Sequence, residues 1–336
     1  MTRWLPVLLV LLAGCAVPER QSALDPAGTQ AGHIHGTWDL YLWVCAAVYV
    51  LVMAFLVFAI ARRNRAGTDA PVTQPPVNRE LRMGVVVSGC VAVTTLILFV
   101  FLIADFVTGR RINALIDPAA QTVTITGHQW WWEVQYQDAT PSNIVTTANE
   151  IHVPVGRTIH FELKAADVIH SFWIPNLHGK TDLIPPHTTH TFIRADRPGE
   201  YWGQCAEFCG FQHANMRFVV VAEPEEDFQR WLTAGRQPAR EPTTESQKKG
   251  LQVFLTRSCV LCHTITGTSA ASRVGPDLTR VGSRPRIGAG TLPNTRGNLA
   301  GWVSDPHGVK PGVRMPPNPL PPDELQAILD YLESLK

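Results

Sequence analysis

Cys205-Ala206-Glu207-Phe208-Cys209-Gly210-Phe211-Gln212-His213-Ala214-Asn215-Met216 crowds two thiols, an imidazole and a thioether onto one short loop leading into a β-run. Soft sulfur ligands beside imidazole suit copper, above all where electrons must pass, because such a site accepts both oxidation states with little rearrangement. A second histidine is needed from elsewhere. His170, in Asp167-Val168-Ile169-His170-Ser171-Phe172 at the end of a β-run, is the natural supplier. A Cys205–Cys209 disulfide, or a zinc site on the same Cys and His residues, would use part of this set, but neither explains Met216.

Working outward, short β-rich runs at 122–126, 151–155, 158–163, 188–193 and 218–221 are broken by Pro and Gly turns. They predict an all-β sandwich or barrel around the loop. A polar stretch, 233–246, carries Pro238 and Pro242 with no apolar stripe and reads as a linker. Residues 247–336 close with Leu325, Ile328, Leu329 and Leu332 at helical spacing, so a helical domain follows the β domain.

Upstream, residues 40–60 carry no charge and are long enough to cross the hydrocarbon core, as are 83–104. Arg62, Arg63, Arg65, Arg79 and Arg82 lie between them, which places that loop in the cytoplasm and both outer ends outside. At the start, Arg3, an apolar run and small residues have the layout of a secretory signal, which demands the same orientation. Leu12-Ala13-Gly14-Cys15 resembles a bacterial lipobox, with Cys15 as the lipid-modified first residue of the mature chain.

Cys259-Val260-Leu261-Cys262-His263 is a C-x-x-C-H haem attachment signature: two thioethers anchor the porphyrin and the histidine becomes the proximal ligand. Met315, in Arg314-Met315-Pro316-Pro317, is the expected distal ligand, and His/Met ligation raises the potential toward that of an electron carrier. His307, after Asp305-Pro306, is the rival. Gly275-Pro276-Asp277-Leu278 resembles the class I cytochrome c loop in which the proline carbonyl holds the proximal histidine. The seven cysteines thus fall in unlike contexts, Cys45 and Cys90 being packing residues of the membrane spans, and no disulfide framework follows. The formal net charge of +1 gives no bias toward nucleic acid.

The loop pattern C-x-E-x-C-x-x-x-H-x-x-M with an upstream histidine resembles the CuA domain of cytochrome c oxidase subunit II. The resemblance implies that Cys205 and Cys209 bridge two coppers, that His170 and His213 bind one each, and that Met216 is a weak ligand. It implies that Glu207 ligates through its backbone carbonyl, its side chain serving a magnesium at the boundary with subunit I. Gly127-His128-Gln129-Trp130-Trp131-Trp132 resembles the family's aromatic stretch, whose first tryptophan receives electrons from cytochrome c; Trp130 inherits that role. Lys180-Thr181-Asp182 and Arg197-Pro198-Gly199-Glu200-Tyr201 resemble segments that the family sets against subunit I. Glu80 precedes Leu81-Arg82-Met83-Gly84-Val85, not the family's Trp-Thr-x-x-Pro, and reads as a solvated headgroup-level carboxylate.

The expected organisation is a lipoprotein-type signal peptide (1–14), an exported segment (15–39), two membrane helices (40–60, 83–104) around a cytoplasmic loop (61–82), a cupredoxin-like CuA sandwich (105–232), a linker (233–246) and an all-α class I cytochrome c domain (247–336). Such a chain is part of a respiratory oxidase of the bacterial inner membrane, with both domains periplasmic. Its implied partners are subunits I and III, membrane lipid, and an external donor such as a cytochrome c or bc complex. A CuA-bearing nitric oxide reductase subunit is an alternative. A non-enzymatic periplasmic copper module is another, for which a covalent haem makes little sense.

Overall fold

The computed structural model describes residues 21–65 and 77–336. The candidate signal peptide, Cys15 and the middle of the 61–82 loop lie outside the described residues. The chain forms two compact units, one of them Gly32–Leu115. It is built from helices α1 (Thr29–Arg65) and α2 (Val77–Asn113), both long and apolar enough to cross a membrane. Val50, Leu51, Phe55 and Phe58 on α1, and Val85, Leu96 and Phe99 on α2, are exposed with no single stripe turned on a protein core. That is the pattern of a helix whose solvent is lipid. Both helices overrun the apolar windows 40–60 and 83–104, so residues 29–39 are helical; a helix that satisfies its own backbone need not stop at the membrane surface. The Thr37 and Thr108 hydroxyls, 2.7 Å apart, and the Tyr41 hydroxyl donating to the Phe101 carbonyl tie the pair together.

The other unit begins with a two-layer β-sandwich. One sheet has the order β3 (Val145–Ala148), β2 (Trp131–Tyr136), β1 (Gln121–His128), β5 (Thr158–Ala165), β8 (Thr189–Arg194). The other runs β4 (Glu150–Pro154), β10 (Arg217–Glu223), β9 (Gly199–Cys205), β6 (His170–Trp173), β7 (Thr181–Leu183). Strand β2 alternates buried and half-buried positions, and its inward residues Trp132, Val134 and Tyr136 meet Phe161, Phe172 and Phe218 in the core. Trp132 lies edge-on to Phe172 and Phe218, with centroids 5.9 and 5.3 Å away. Ser22 to Gln30 packs on the rim: the Asn176 amide donates to the Ser22 and Asp25 carbonyls, and Gln30 is buried against Phe192 and Arg194.

The stretch expected as a linker, 233–246, is held at both ends. Helix α3 (Glu225–Gly235) runs into it, burying Phe228 and Leu232 on the sandwich. Helix α4 (Glu245–Thr256) starts before it closes. Between them Ala239 N–H donates to the Thr266 carbonyl at 2.8 Å, and Arg280 donates to the carbonyls of Ala234 and Gln237. Proline marks this stretch as non-helical, but neighbouring groups fix it in place.

The C-terminal region packs α4 against α6 (Pro322–Ser334), with α5 (Arg296–Ser304) and the short hairpin β11 (Arg286–Ile287), β12 (Leu292–Pro293) completing it. Phe254, Leu299, Ile328, Leu329 and Leu332 form its core. Thr244 and Gln247 cap α4 reciprocally, each side chain taking the other's backbone N–H. Thr244→Ala is expected to destabilise this domain by about 1 kcal/mol, read as a lowered thermal midpoint by far-ultraviolet circular dichroism.

Candidate functional site: a thiol and imidazole loop beside an apolar cleft

Strand β9 ends at Cys205 and β10 begins at Arg217, so the loop with the sulfur and imidazole groups joins two hydrogen-bonded neighbours. Cys205 N–H donates to the Met216 carbonyl at 2.9 Å, closing the loop on itself, and Ala206 N–H donates to the Ser171 carbonyl at 3.0 Å, tying it to β6. His170 and Met216 are fully buried, Cys205 and Cys209 nearly so. The two sulfurs lie 3.7 Å apart, well beyond a bond, and both thiols are free. His170 Nδ1 is 3.9 Å from the Cys205 sulfur, while His213 Nδ1 and the Met216 sulfur are 3.7 and 3.8 Å from the Cys209 sulfur. The Glu207 carbonyl oxygen is 3.1 Å from Cys205 Sγ.

Each sulfur therefore has its own imidazole, and the donors of His170, Cys205 and Cys209 fall within 4.8 Å of one another. This set fits a pair of soft ions sharing two thiolates. The neighbouring Cys209 thiol, with His170, holds Cys205 down against burial, and Cys205 together with burial pushes Cys209 up. Behind His170, Asp167 Oδ1 lies 2.9 Å from Nε2 and fixes the ring with Nδ1 toward the sulfur. Burial alone would raise the Asp167 carboxyl, but hydrogen bonds from His170 and from the Gln129 and Val168 N–H groups hold it down to about 2.

An apolar cleft of about 310 Å³ lies alongside, lined by Cys259, Cys262, His263, Pro276, Trp302 and Met315. Burial lowers His263, keeping the neutral imidazole that can ligate iron, and its Nδ1 is 2.7 Å from the Pro276 carbonyl. A Cβ on Gly275 would meet this ring at 2.8 Å, as one on Gly127 would meet the ring of His170. Both histidines are thus stacked on glycine, where only a bare backbone fits. Paired cysteines, a buried neutral histidine and a methionine around one apolar cleft fit a covalently held haem. His307 does not line the cleft; it is exposed, its Nε2 3.1 Å from the Met315 carbonyl.

The three tryptophans have three different settings. Trp132 is core, and Trp131 stacks on His128 at 4.4 Å. Trp130 is half-buried, donates its indole N–H to the Cys209 carbonyl at 3.0 Å, and also lines the cleft. Gln129 donates to the same carbonyl at 2.9 Å.

Several residues here were not singled out from the sequence. Lys310 is buried, and its Nζ donates to the carbonyls of Asn215 (2.7 Å), Trp130 (3.0 Å) and Gly288 (3.2 Å). Burial pulls it down to about 7, while three carbonyl acceptors match the three protons of an ammonium. Gln212 donates to the Pro311 carbonyl at 2.8 Å, and buried Arg284 joins the Asp277 carbonyl to Thr147. Glu207 keeps a half-exposed side chain 4.0 Å from Lys180 Nζ, which also bonds Asp182. Glu80 sits exposed in the first turn of α2.

Comparison with known proteins gives the class. Residues 139–223 match the family described as cytochrome c oxidase subunit II, periplasmic domain, and residues 247–336 match cytochrome c. The chain is 36% identical over 345 residues to cytochrome c oxidase subunit 2 of Alkalihalophilus pseudofirmus, covering 100% of this chain and 97% of that one. It is 29% identical over 349 residues to the Bacillus subtilis subunit 2, covering 99% and 96%. A crystal structure of the periplasmic domain of subunit II of Bradyrhizobium japonicum cytochrome oxidase is 30% identical, covering 36% of this chain and 97% of that one, with a TM-score of 0.34.

The chain belongs to the cytochrome c oxidase subunit 2 family, a component of a haem-copper oxidoreductase, and carries a C-terminal cytochrome c domain. The first domain implies CuA copper and the second haem c. Asp167→Asn is expected to weaken copper binding by about 10- to 100-fold, measured by competition with a chelator of known affinity in the full chain.

Proposed function

We propose that this chain takes electrons from an external donor at its haem domain, delivers them to the copper loop and hands them to subunit I, where oxygen is reduced and protons are pumped. The observation that carries this reading is the position of Trp130, whose indole bonds the Cys209 carbonyl while its ring lines the haem cleft. When bound, the dinuclear copper and the haem each exchange one electron with little rearrangement.

The chain's residues do the rest. Cys205 and Cys209 would hold the copper with His170 and His213, and Met216 and the Glu207 carbonyl would complete the set. Cys259 and Cys262 would anchor the haem, and His263, steadied by the Pro276 carbonyl, and Met315 would ligate its iron. Trp130 would carry electrons from the cleft toward the thiol pair. Glu207, beside Lys180 and Asp182 on the sandwich surface, offers a carboxylate for magnesium against subunit I. We assign the two long helices to the bacterial inner membrane, both domains to the periplasm, and the lipid anchor to Cys15. Subunit III and a cytochrome c or bc complex complete the partners. Oxygen uptake measured against nitric oxide turnover in the purified complex separates this reading from a nitric oxide reductase.

Cys209→Ser puts a hard hydroxyl in place of a soft bridging thiolate. It is expected to abolish the paired-copper signal in electron paramagnetic resonance; a single zinc per wild-type chain in metal analysis would instead sink the copper assignment. Met315→His is expected to lower the haem potential, because the thioether favours reduced iron, and to leave the copper spectrum intact. A redox titration followed at both chromophores reads this.

A further inference from the structure

The segment that leads to Met315 is also the segment that touches the copper loop. Lys310 lies five residues before Met315, and its three acceptors come from three different places: Trp130 before β2, Asn215 in the copper loop, and Gly288 in the turn between β11 and β12. Pro311 takes the Gln212 amide, and Arg314 approaches Gln129 and Asp167 at 3.4 and 3.5 Å. Of these contacts only Lys310 brings a buried cation, and it meets backbone carbonyls alone. Its hold therefore rests on the match between three N–H donors and three fixed acceptors.

We propose that Lys310 is the positioning residue for electron transfer within the chain: its ammonium bolts the Met315 segment to the copper loop and to Trp130, keeping the haem cleft and the thiol pair in one fixed relation. This rests on the function proposed above and deepens it. Without the bolt the Met315 segment keeps only the Gln212 amide on Pro311 and the Arg314 contacts against the sandwich, so it would loosen from the copper loop even while the domains stay joined elsewhere. The other charged contact on this segment, Arg314 with Asp167, has its guanidinium in solvent and is screened by salt. Removing Lys310 also takes the ammonium from the Trp130 and Asn215 carbonyls, while the Gly288 carbonyl keeps the Thr291 hydroxyl at 2.7 Å, and the loss favours the opened state.

The test uses the assembled oxidase with Lys310→Leu, and with Arg314→Gln as a milder second variant that keeps the bolt. Unchanged copper and haem spectra establish that each variant is loaded. Hydrogen exchange is then read at the amides of 309–316 and 212–216, and haem-to-copper transfer is read after flash reduction of the haem at several salt concentrations. For Lys310→Leu we expect faster exchange at both segments, transfer slowed about tenfold or more, and a rate that has become salt-dependent. For Arg314→Gln we expect a smaller change in the same direction. Wild-type exchange and a wild-type, salt-independent rate in Lys310→Leu would overturn the positioning role while leaving the proposed function in place. If the wild type itself passed no electrons from haem to copper, the proposed function and the positioning role would fall together.

Discussion

Strands β6 and β9 pair so that Phe172 faces Cys205, and Ala206 N–H then reaches the Ser171 carbonyl. The loop's chemistry depends on that register. Side chains alternate across a strand, so a slip of one residue would turn His170 away from Cys205 and drive Phe172 out of the core. The register is held from the other side by aromatic packing: Phe172 stacks on Phe218 at 4.7 Å, and both lie edge-on to Trp132. The apolar core thus fixes where the polar donors sit. Asp167 then needs only to orient a ring whose position is already set.

A second constraint acts across the two domains. The Cys209 carbonyl receives both the Gln129 amide and the Trp130 indole, and the Trp130 carbonyl receives Lys310. One backbone stretch therefore faces the thiol pair on one side and the haem domain on the other. Arg280 at the 233–246 segment and Arg284 at Thr147 add polar contacts around the same join. The two domains fall in one compact unit, joined at this face by those contacts as well as by the connecting chain.

The loop and the haem motif were legible in the sequence because ligand spacing is local and chemically unusual. The anticipated β-runs lie within β1, β5 and β10 and overrun β4 and β8 by a single residue, because the Val, Ile and Phe content of those strands signals strand. Strands β6 and β7 are short, and with β9 they carry His170, Ser171, Asp182, Gly203 and Gln204, polar or small residues present for the site and its surroundings, so their β pattern is faint. Strand β2 hid inside the tryptophan run. The 233–246 stretch read as a free tether because its contacts come from Thr266 and Arg280, remote in sequence. Lys310 was invisible for a related reason: a lysine is ordinarily exposed, and only the fold brings three carbonyls to it.

The backbone character of those three acceptors has an evolutionary corollary. A carbonyl is supplied by every amino acid, so substitutions at positions 130, 215 and 288 do not remove what Lys310 binds, provided the chain path is kept. Selection on this contact would fall on one partner alone. Among fused relatives it would leave a retained lysine with no covarying mate, a mark that pairwise covariation between sites passes over.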